Sequence, residues 1–178
     1  MEEDHGIYDY KRRLELLEMK MGKRVSSPKN QKFLLGYKND CIAQGTSLAR
    51  VIRTLEDLLK LDSLIKKDFE LVTTEDIKSA IVEMENQNYS DWTKYGFKIS
   101  VRKFYKWLRK TETYPEEVKW IKPRLKRCES KLPQELLTEE EIKKMIESAD
   151  NPRDRAFMSV LYESGCRIGE ILTLKQKN

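Results

Sequence analysis

The residues with the clearest chemical potential stand between two predicted helices near the C-terminal end of the chain. An apolar helix stops at Gly165, Arg167 follows on the turn, and Glu170 stands in the first turn of the next helix. A guanidinium group carries a planar fork of N–H donors that fits two phosphate oxygens at once. Such a fork stabilises the negative charge that builds up during phosphoryl transfer. Arg167 is therefore a candidate phosphate-binding residue, with Glu170 holding its side chain in place.

The same spacing also permits a structural role for Arg167. In that interpretation its guanidinium pairs with Glu170 or Glu163 and only joins the two helices. The spacing alone favours this structural role slightly, so the chemical interpretation depends on what else the chain contains.

A second feature is the positive charge of a helix predicted over residues 90–110. At 100° per residue its apolar side chains share one face, and six cations occupy the opposite arc with almost no acid between them: Lys98, Arg102, Lys103, Lys106, Arg109 and Lys110. Like charges at this spacing weaken an isolated helix, whereas a phosphate backbone would neutralise them, and a helix fits the major groove of DNA. We predict that these six residues contact DNA. The alternative is that they only keep an exposed face soluble.

Two smaller groups of cations could extend such a surface. Proline-rich residues 111–137 carry a basic cluster that could follow a DNA backbone: Lys122, Arg124, Lys126, Arg127 and Lys131. The alternative is an ordinary exposed linker. Arg50 and Arg53 share one side of an earlier helix and could reach a phosphate. The alternative for this pair is salt bridges to Glu56 or Asp57.

The charge of the whole chain is concentrated in one block. The net charge is +5, yet residues 98–131 hold 12 basic and 4 acidic residues, a net of +8. A basic block inside an otherwise neutral chain is typical of a polyanion partner, although a salt-bridged surface has the same composition.

Composition also excludes several classes of protein. No apolar run reaches the length of a membrane span, and the acidic start of the chain is not a secretory signal. Three widely separated cysteines lack a zinc-binding spacing and an even disulfide pattern, which indicates a reducing cytoplasm and no metal site: Cys41, Cys128 and Cys166.

The elements that must position these residues are predicted to be helices. Only 7 glycines and 5 prolines occur in 178 residues, and strand-like alternation is nowhere sustained. We predict an N-terminal helical extension over residues 1–26 and a four-helix domain over 27–110, with helices that begin at Ser27–Pro28, Thr46–Ser47, Thr74 and Ser90–Asp91. A linker over 111–137 follows, with a short helix near 116–121. Residues 138–178 then form helices over about 139–149, 152–164 and from 168 onward.

The residues around Arg167 resemble the start of the catalytic domain of tyrosine recombinases, the phage-integrase family. The resemblance rests on Leu132-Pro133 followed by Leu137-Thr138-Glu139-Glu140-Glu141-Ile142, on Arg153-Asp154-Arg155-Ala156, and above all on the segment from Leu161 to Leu174. Residues 27–110 are similar to the four-helix, SAM-like core-binding domain of that family. The resemblance therefore implies an all-α protein: a DNA-binding domain, a basic linker and the helical start of a catalytic domain.

The resemblance also implies a function in site-specific DNA integration and recombination. In that family two domains clamp duplex DNA, and a tyrosine attacks the scissile phosphate without a metal or nucleotide cofactor. Arg167 matches the first catalytic arginine and Glu170 matches the acidic position after it. The family's catalytic lysine, its histidine–x–x–arginine motif and its tyrosine nucleophile have no counterpart before Asn178. We therefore expect this polypeptide alone not to cleave or join DNA.

Further expectations concern the partners of the chain. Double-stranded DNA is the expected partner, with no small-molecule substrate and no membrane. The apolar residues of 138–178 need cover, so we expect them to dock within the chain or to mediate self-association on DNA. Two other classes stay open: a helix-turn-helix-like transcription regulator, and a helical protein-interaction module.

Overall fold

The computed structural model describes residues 8–125 and 136–174, and every regular element in these ranges is a helix. The prediction of an all-α protein is confirmed for them. The chain divides into two compact units, one of residues 10–128 and one of residues 1–9 with 129–178. The first unit holds α1 to α6: Tyr10–Arg24, Pro28–Ala43, Leu48–Ile65, Thr74–Asn86, Asp91–Leu108 and Glu116–Lys119. The second holds α7 to α9: Glu139–Glu147, Pro152–Ser164 and Ile168–Leu172.

The helices begin at the positions that the capping residues predicted. The Ser27 side chain accepts a hydrogen bond from the backbone N–H of Asn30 at the start of α2, and proline occupies its first turn. Thr73 and Asp76 form a capping box before α4, and the Ser90 hydroxyl accepts from the backbone N–H of Thr93 at the start of α5. Each cap satisfies backbone donors that the helix itself leaves open.

The core of the first unit is built around α3 and α5. Leu55, Leu58 and Leu61 of α3 and Phe97 and Phe104 of α5 are each 1% exposed or less. α3 packs against α1, α2, α4 and α5, so its apolar stripe lies at the centre of the unit. The predicted apolar face of α5 is therefore the face that is buried, and its opposite arc is left for other contacts.

The first unit is wider than the four-helix domain predicted over 27–110. Leu14, Leu17 and Met21 of α1 are buried in the same core, as are Val118 and Ile121 after α5. The start of the predicted linker is therefore packed through residue 121, and α1 belongs to the first unit. The positions of the prolines suggested a linker. The burial of Val118 and Ile121 depends on helices that are distant in the chain, so the local sequence does not show it.

A buried polar cluster joins the end of α3 to the start of α2. Asp62 accepts hydrogen bonds from the Ser26 backbone N–H and hydroxyl and from the Asn30 side-chain amide, each at 2.7 Å. The Asn30 amide also donates to the Lys67 carbonyl at 2.9 Å, and its carbonyl oxygen accepts from the Phe69 backbone N–H at 2.8 Å. Because Asn30 is fully buried, its hydrogen bonds to Asp62, Lys67 and Phe69 hold three segments of chain in one arrangement.

The second unit buries little of its apolar surface. Among its described residues none of α7, α8 or α9 contains a buried residue. Its exposed apolar residues include Val160, Ile168, Leu172 and Leu174, at 46–75% of their full exposure. Tyr162 of α8 is also 44% exposed. Gly165 ends α8 in the left-handed conformation at φ 61°, as its position in the sequence indicated.

Candidate nucleic-acid interface

A groove of about 810 Å³ on the first unit gathers four of the predicted DNA-binding cations from two helices. We call it the basic groove, and its cations are Arg50 of α3 with Lys103, Lys106 and Lys110 of α5 and its C-terminal end. Arg50, Lys103 and Lys110 are exposed. Arg50 and the lysines of α5 are separated by about half of the unit's sequence, yet they line one groove. The helical wheel of a single helix could not reveal this arrangement.

Aromatic side chains build the wall of the basic groove beneath these cations. The Trp107 ring packs edge-on against Tyr37 at 5.2 Å and stacks with Phe104 at 5.9 Å between centroids. The ring lies against Gly36 of α2, where an added Cβ atom would meet it at 3.4 Å, an ordinary van der Waals contact. The Trp107 indole N–H donates to the Asp40 carboxylate at 2.5 Å. The groove is therefore a packed surface that holds its lysines on a rigid helix.

Lys110 reaches the groove from a strained backbone position. Its φ of 51° lies in the left-handed region, which is disfavoured for residues other than glycine by about 1–2 kcal/mol. Its backbone N–H donates to the Trp107 carbonyl and the Thr111 N–H donates to the Lys106 carbonyl, the pattern of a Schellman cap, in which glycine is usual.

Lys110→Gly should therefore raise stability and weaken DNA binding together. We expect the free energy of unfolding to rise by about 0.5–1 kcal/mol, since the backbone strain is relieved at some cost in the entropy of the unfolded chain. Duplex affinity at 0.1 M salt should fall roughly eightfold for one lost phosphate contact. Urea unfolding and fluorescence anisotropy with labelled duplex measure the two effects.

Lys66 offers a matched control for this substitution. It is exposed, caps α3 at φ 52°, and does not line the basic groove. Lys66→Gly removes the same charge and the same strain, so stability should rise while DNA affinity stays unchanged. An equal loss of affinity in both variants would mean that only the net charge matters.

The other half of the basic arc of α5 is engaged within the protein. Lys98 pairs with Glu85 of α4 at 2.6 Å, and Arg109 pairs with Glu117 of α6 at 2.8 Å. The Arg102 guanidinium lies 3.8 Å from the centroid of the Tyr114 ring. The expectation that all six cations lie exposed, with almost no acid among them, is therefore wrong for this half. The acidic partners of Lys98 and Arg109 lie on α4 and α6, so the sequence of α5 alone could not reveal them.

Two of the five cations predicted for the linker lie in the part of the chain that the structure describes. Lys122 and Arg124 are exposed, and with Lys94, Tyr95 and Lys98 they line a second cleft of about 370 Å³. Glu85 and Asp91 also line it. The other three cations of this prediction, Lys126, Arg127 and Lys131, lie outside the described residues.

The two arginines of α3 have different surroundings. Arg50 lines the basic groove, whereas the Arg53 Nε lies 3.6 Å from the carboxylate of Asp57, the alternative that spacing had left open. Asp57 is 1% exposed, and its carboxylate also accepts a hydrogen bond from the Ser100 hydroxyl at 2.8 Å. Burial raises the pKa of Asp57, although Ser100 and Arg53 oppose the shift.

The raised pKa of Asp57 predicts a pH dependence of stability. The folded state holds the Asp57 proton to higher pH than the unfolded chain does, so the contribution of this residue to stability falls as pH rises from about 4 through the folded pKa. Asp57→Asn should remove that fall, which urea unfolding at a series of pH values measures. Glu83→Gln, at an exposed position of α4, is the control for charge loss. Parallel profiles for wild type and Asp57→Asn would contradict the assignment.

Arg167 lies at the start of α9 with Glu170 beside it. The Glu170 carboxylate accepts from the Arg167 backbone N–H at 2.8 Å, and its other oxygen lies 3.4 Å from the Arg167 Nη1. The Arg167 side chain is 89% exposed, so this pair is a surface contact and leaves most of the guanidinium open to solvent. The pairing with Glu170 is the one that the structural interpretation named, and phosphate binding by the exposed guanidinium stays a prediction.

Sequence reasoning missed several residues that line these sites. Trp107 and Asp40 were not assigned to the groove, and Lys94 and Tyr95 were not assigned to the second cleft. The available signal was the spacing of Lys94 and Lys98 on one side of α5, next to two aromatic residues in the first turn. No local sequence pattern pointed to Asp40, because its partner Trp107 lies 67 positions away in the sequence.

The part of the chain that the structure describes has no candidate membrane span and no candidate metal site. None of its helices there combines the length and apolar character needed to cross a membrane. Within the same ranges no three His, Cys, Asp or Glu side chains are grouped so that they could hold a metal ion.

The sequence is similar to tyrosine recombinases. It is 30% identical over 155 residues to tyrosine recombinase XerC of Natranaerobius thermophilus, an alignment that covers 82% of this chain and 49% of the relative. It is 44% identical over 48 residues to tyrosine recombinase XerA of Pyrococcus horikoshii, covering 25% of this chain and 17% of that relative. The chain thus matches about half of the length of the first relative and a smaller part of the second. No family model and no solved structure matches it.

Proposed function

We propose that this chain is the DNA-binding portion of a site-specific tyrosine recombinase that acts in DNA integration and recombination. The basic groove carries the proposal, because it brings four cations of α3 and α5 to one surface of a packed helical unit. Similarity to tyrosine recombinases over most of the chain supports it independently. Phosphate contacts from such cations position a protein on duplex DNA.

The same observations support a finer assignment. Residues 27–110, with the helices packed on them, act as the SAM-like core-binding domain with double-stranded DNA as their partner. The exposed cations after α6, Lys122 and Arg124, continue along the DNA backbone, and residues 138–178 begin the catalytic domain. The exposed apolar residues of α8 and α9 support self-association on DNA, since large apolar patches mark interaction sites. A recombinase of this kind works in the cytoplasm and uses no cofactor.

Arg167 is the catalytic residue of the proposal. Its exposed guanidinium binds the nonbridging oxygens of the scissile phosphate, and Glu170 holds the side chain toward it. Because the ion pair is a surface contact, Arg167→Ala should change the free energy of unfolding by less than about 1 kcal/mol. The same variant should weaken binding to a duplex selected from a random pool by the wild-type chain. Unchanged affinity for the selected duplex would remove Arg167 from the site.

Titration of labelled duplex DNA at several salt concentrations tests the function. Each neutralised phosphate contributes about −0.9 to the slope of log affinity against log salt concentration. Four groove cations therefore predict a slope of about −3.6. A flat response would reject DNA binding and leave a protein-interaction module. A transcription regulator would bind half-sites as a stable dimer and would not respond to Arg167→Ala.

A further inference from the structure

An exposed aromatic pair stands beside the second cleft of the first unit. Trp92, in the first turn of α5, is 60% exposed, and its ring contacts Tyr95 edge-on at 5.9 Å between centroids. A tryptophan buries a large apolar area when it packs into a core, so one left this open gains little from folding. Tyr95 lines this cleft together with Lys94, Lys98, Lys122 and Arg124, and Trp92 adjoins it through its contact with the Tyr95 ring. We call this lining together with Trp92 the aromatic cleft.

The cations of the aromatic cleft come from two separate segments. Lys94 and Lys98 lie one turn apart on α5, whereas Lys122 and Arg124 lie after α6 and are exposed. Glu85 holds both lysines of α5, with ion pairs of 3.9 Å to Lys94 and 2.6 Å to Lys98. Four cations and two carboxylates line the cleft, so its charge is net positive. Tyr95 lies in the same lining and contacts the open indole ring of Trp92. A positive cleft beside two aromatic rings suits an anion that also has a flat apolar face.

We propose that the aromatic cleft binds unpaired, single-stranded DNA, with one base stacked on Trp92 and the sugar–phosphate backbone along Lys98, Lys122 and Arg124. Proteins that bind single strands combine a cationic groove with aromatic rings on which bases stack. A duplex cannot use this site in the same way, because its base faces are covered by their neighbours. A cleft of about 370 Å³ also lies at the small end of ligand sites, which suits a nucleotide.

The aromatic cleft is distinct from the basic groove. The two sites share no lining residue, and the cleft uses the first half of α5 whereas the groove uses its last turns and the residues after them. The inference therefore goes beyond duplex binding. It adds a second nucleic-acid site whose ligand is the unpaired strand.

Binding of oligo-dT to the full chain tests the proposal, with Trp92→Leu as the variant and Trp120→Leu as its match. Both tryptophans are exposed, at 60% and 38%, and only Trp92 adjoins the cleft, so both variants should fold like wild type. Trp92→Leu should lower affinity for oligo-dT roughly tenfold, the effect of one lost base stack. Its affinity for duplex should stay the same, and Trp120→Leu should change neither.

Tryptophan fluorescence supplies a second measurement. Stacked bases should quench the emission of wild type and of Trp120→Leu, while Trp92→Leu should lose most of that quenching. Equal oligo-dT affinities for the two variants, or no binding of oligo-dT by wild type, would overturn the proposal. Duplex binding without oligo-dT binding would leave the proposed function standing, and the reverse result would reject the proposed function while keeping the cleft.

Discussion

Replacing Lys103, Lys106 and Lys110 with glutamine should lower the affinity of the chain for duplex DNA several hundredfold at 0.1 M salt. All three line the basic groove, and two of them are exposed. Each phosphate contact adds about 0.9 log units of affinity at 0.1 M salt through released counterions, so three add about 2.7. The log–log salt slope should become shallower by about 2.7, because the counterions of three phosphates are no longer released. Fluorescence anisotropy with labelled duplex measures both quantities.

The control variant removes lysines of the same unit away from the groove. Lys20 and Lys23 of α1 and Lys32 of α2 are exposed and do not line the groove. Their replacement by glutamine changes the net charge equally, yet affinity should fall by no more than a few fold through long-range electrostatics. Matching losses in the two triple variants would show that the chain binds DNA through its total charge and would remove the groove from the mechanism.

Asn30→Ala should lower the free energy of unfolding of the first unit by roughly 3 kcal/mol. The side chain is fully buried and exchanges hydrogen bonds with Asp62, Lys67 and Phe69. Its removal leaves the Phe69 backbone N–H and the Lys67 carbonyl without this partner in the interior, at about 1–3 kcal/mol for each group. The Asp62 carboxylate also loses one of its donors. Urea unfolding followed by circular dichroism measures the loss.

Asn39→Ala is the matched substitution on the same helix. Asn39 is exposed on α2, so its replacement should change stability by less than about 0.5 kcal/mol. The comparison separates the buried hydrogen bonds of Asn30 from the helix propensity that both substitutions alter alike. Similar stabilities of the two variants would mean that the buried polar cluster contributes little to the fold.

Most helix boundaries could be predicted because their signals are local. Ser27, Thr73 and Ser90 accept hydrogen bonds from backbone N–H groups two or three positions ahead, so a cap and its donor stand in one short stretch of sequence. The same holds for Arg167 and Glu170, three residues apart across a helix start. The buried face of α5 was also accessible, since its apolar residues repeat with the period of the helix.

The division of the basic arc could not be predicted in this way. Lys98 and Arg109 meet Glu85 and Glu117, which stand on other helices, while Lys103 and Lys110 face the groove. On the helical wheel all of these cations are alike. Their environments differ because α4 and α6 pack along one side of α5 and α2 and α3 along the other.

The amino-acid sequence by itself determined the all-helical class, the capped helix starts, the apolar face of α5 and the neighbouring positions of Arg167 and Glu170, because each depends on residues within about one helical turn. Only the tertiary structure decided that Asn30 and Asp62 join in the interior, that Asp57 is buried beneath Arg53, and which cations line the basic groove. Except for Arg53 and Asp57, which stand four positions apart, these contacts join residues far apart in the chain. Asn30, Asp57 and Asp62 are buried only once helix packing has removed them from water, and their polar groups then bond to one another.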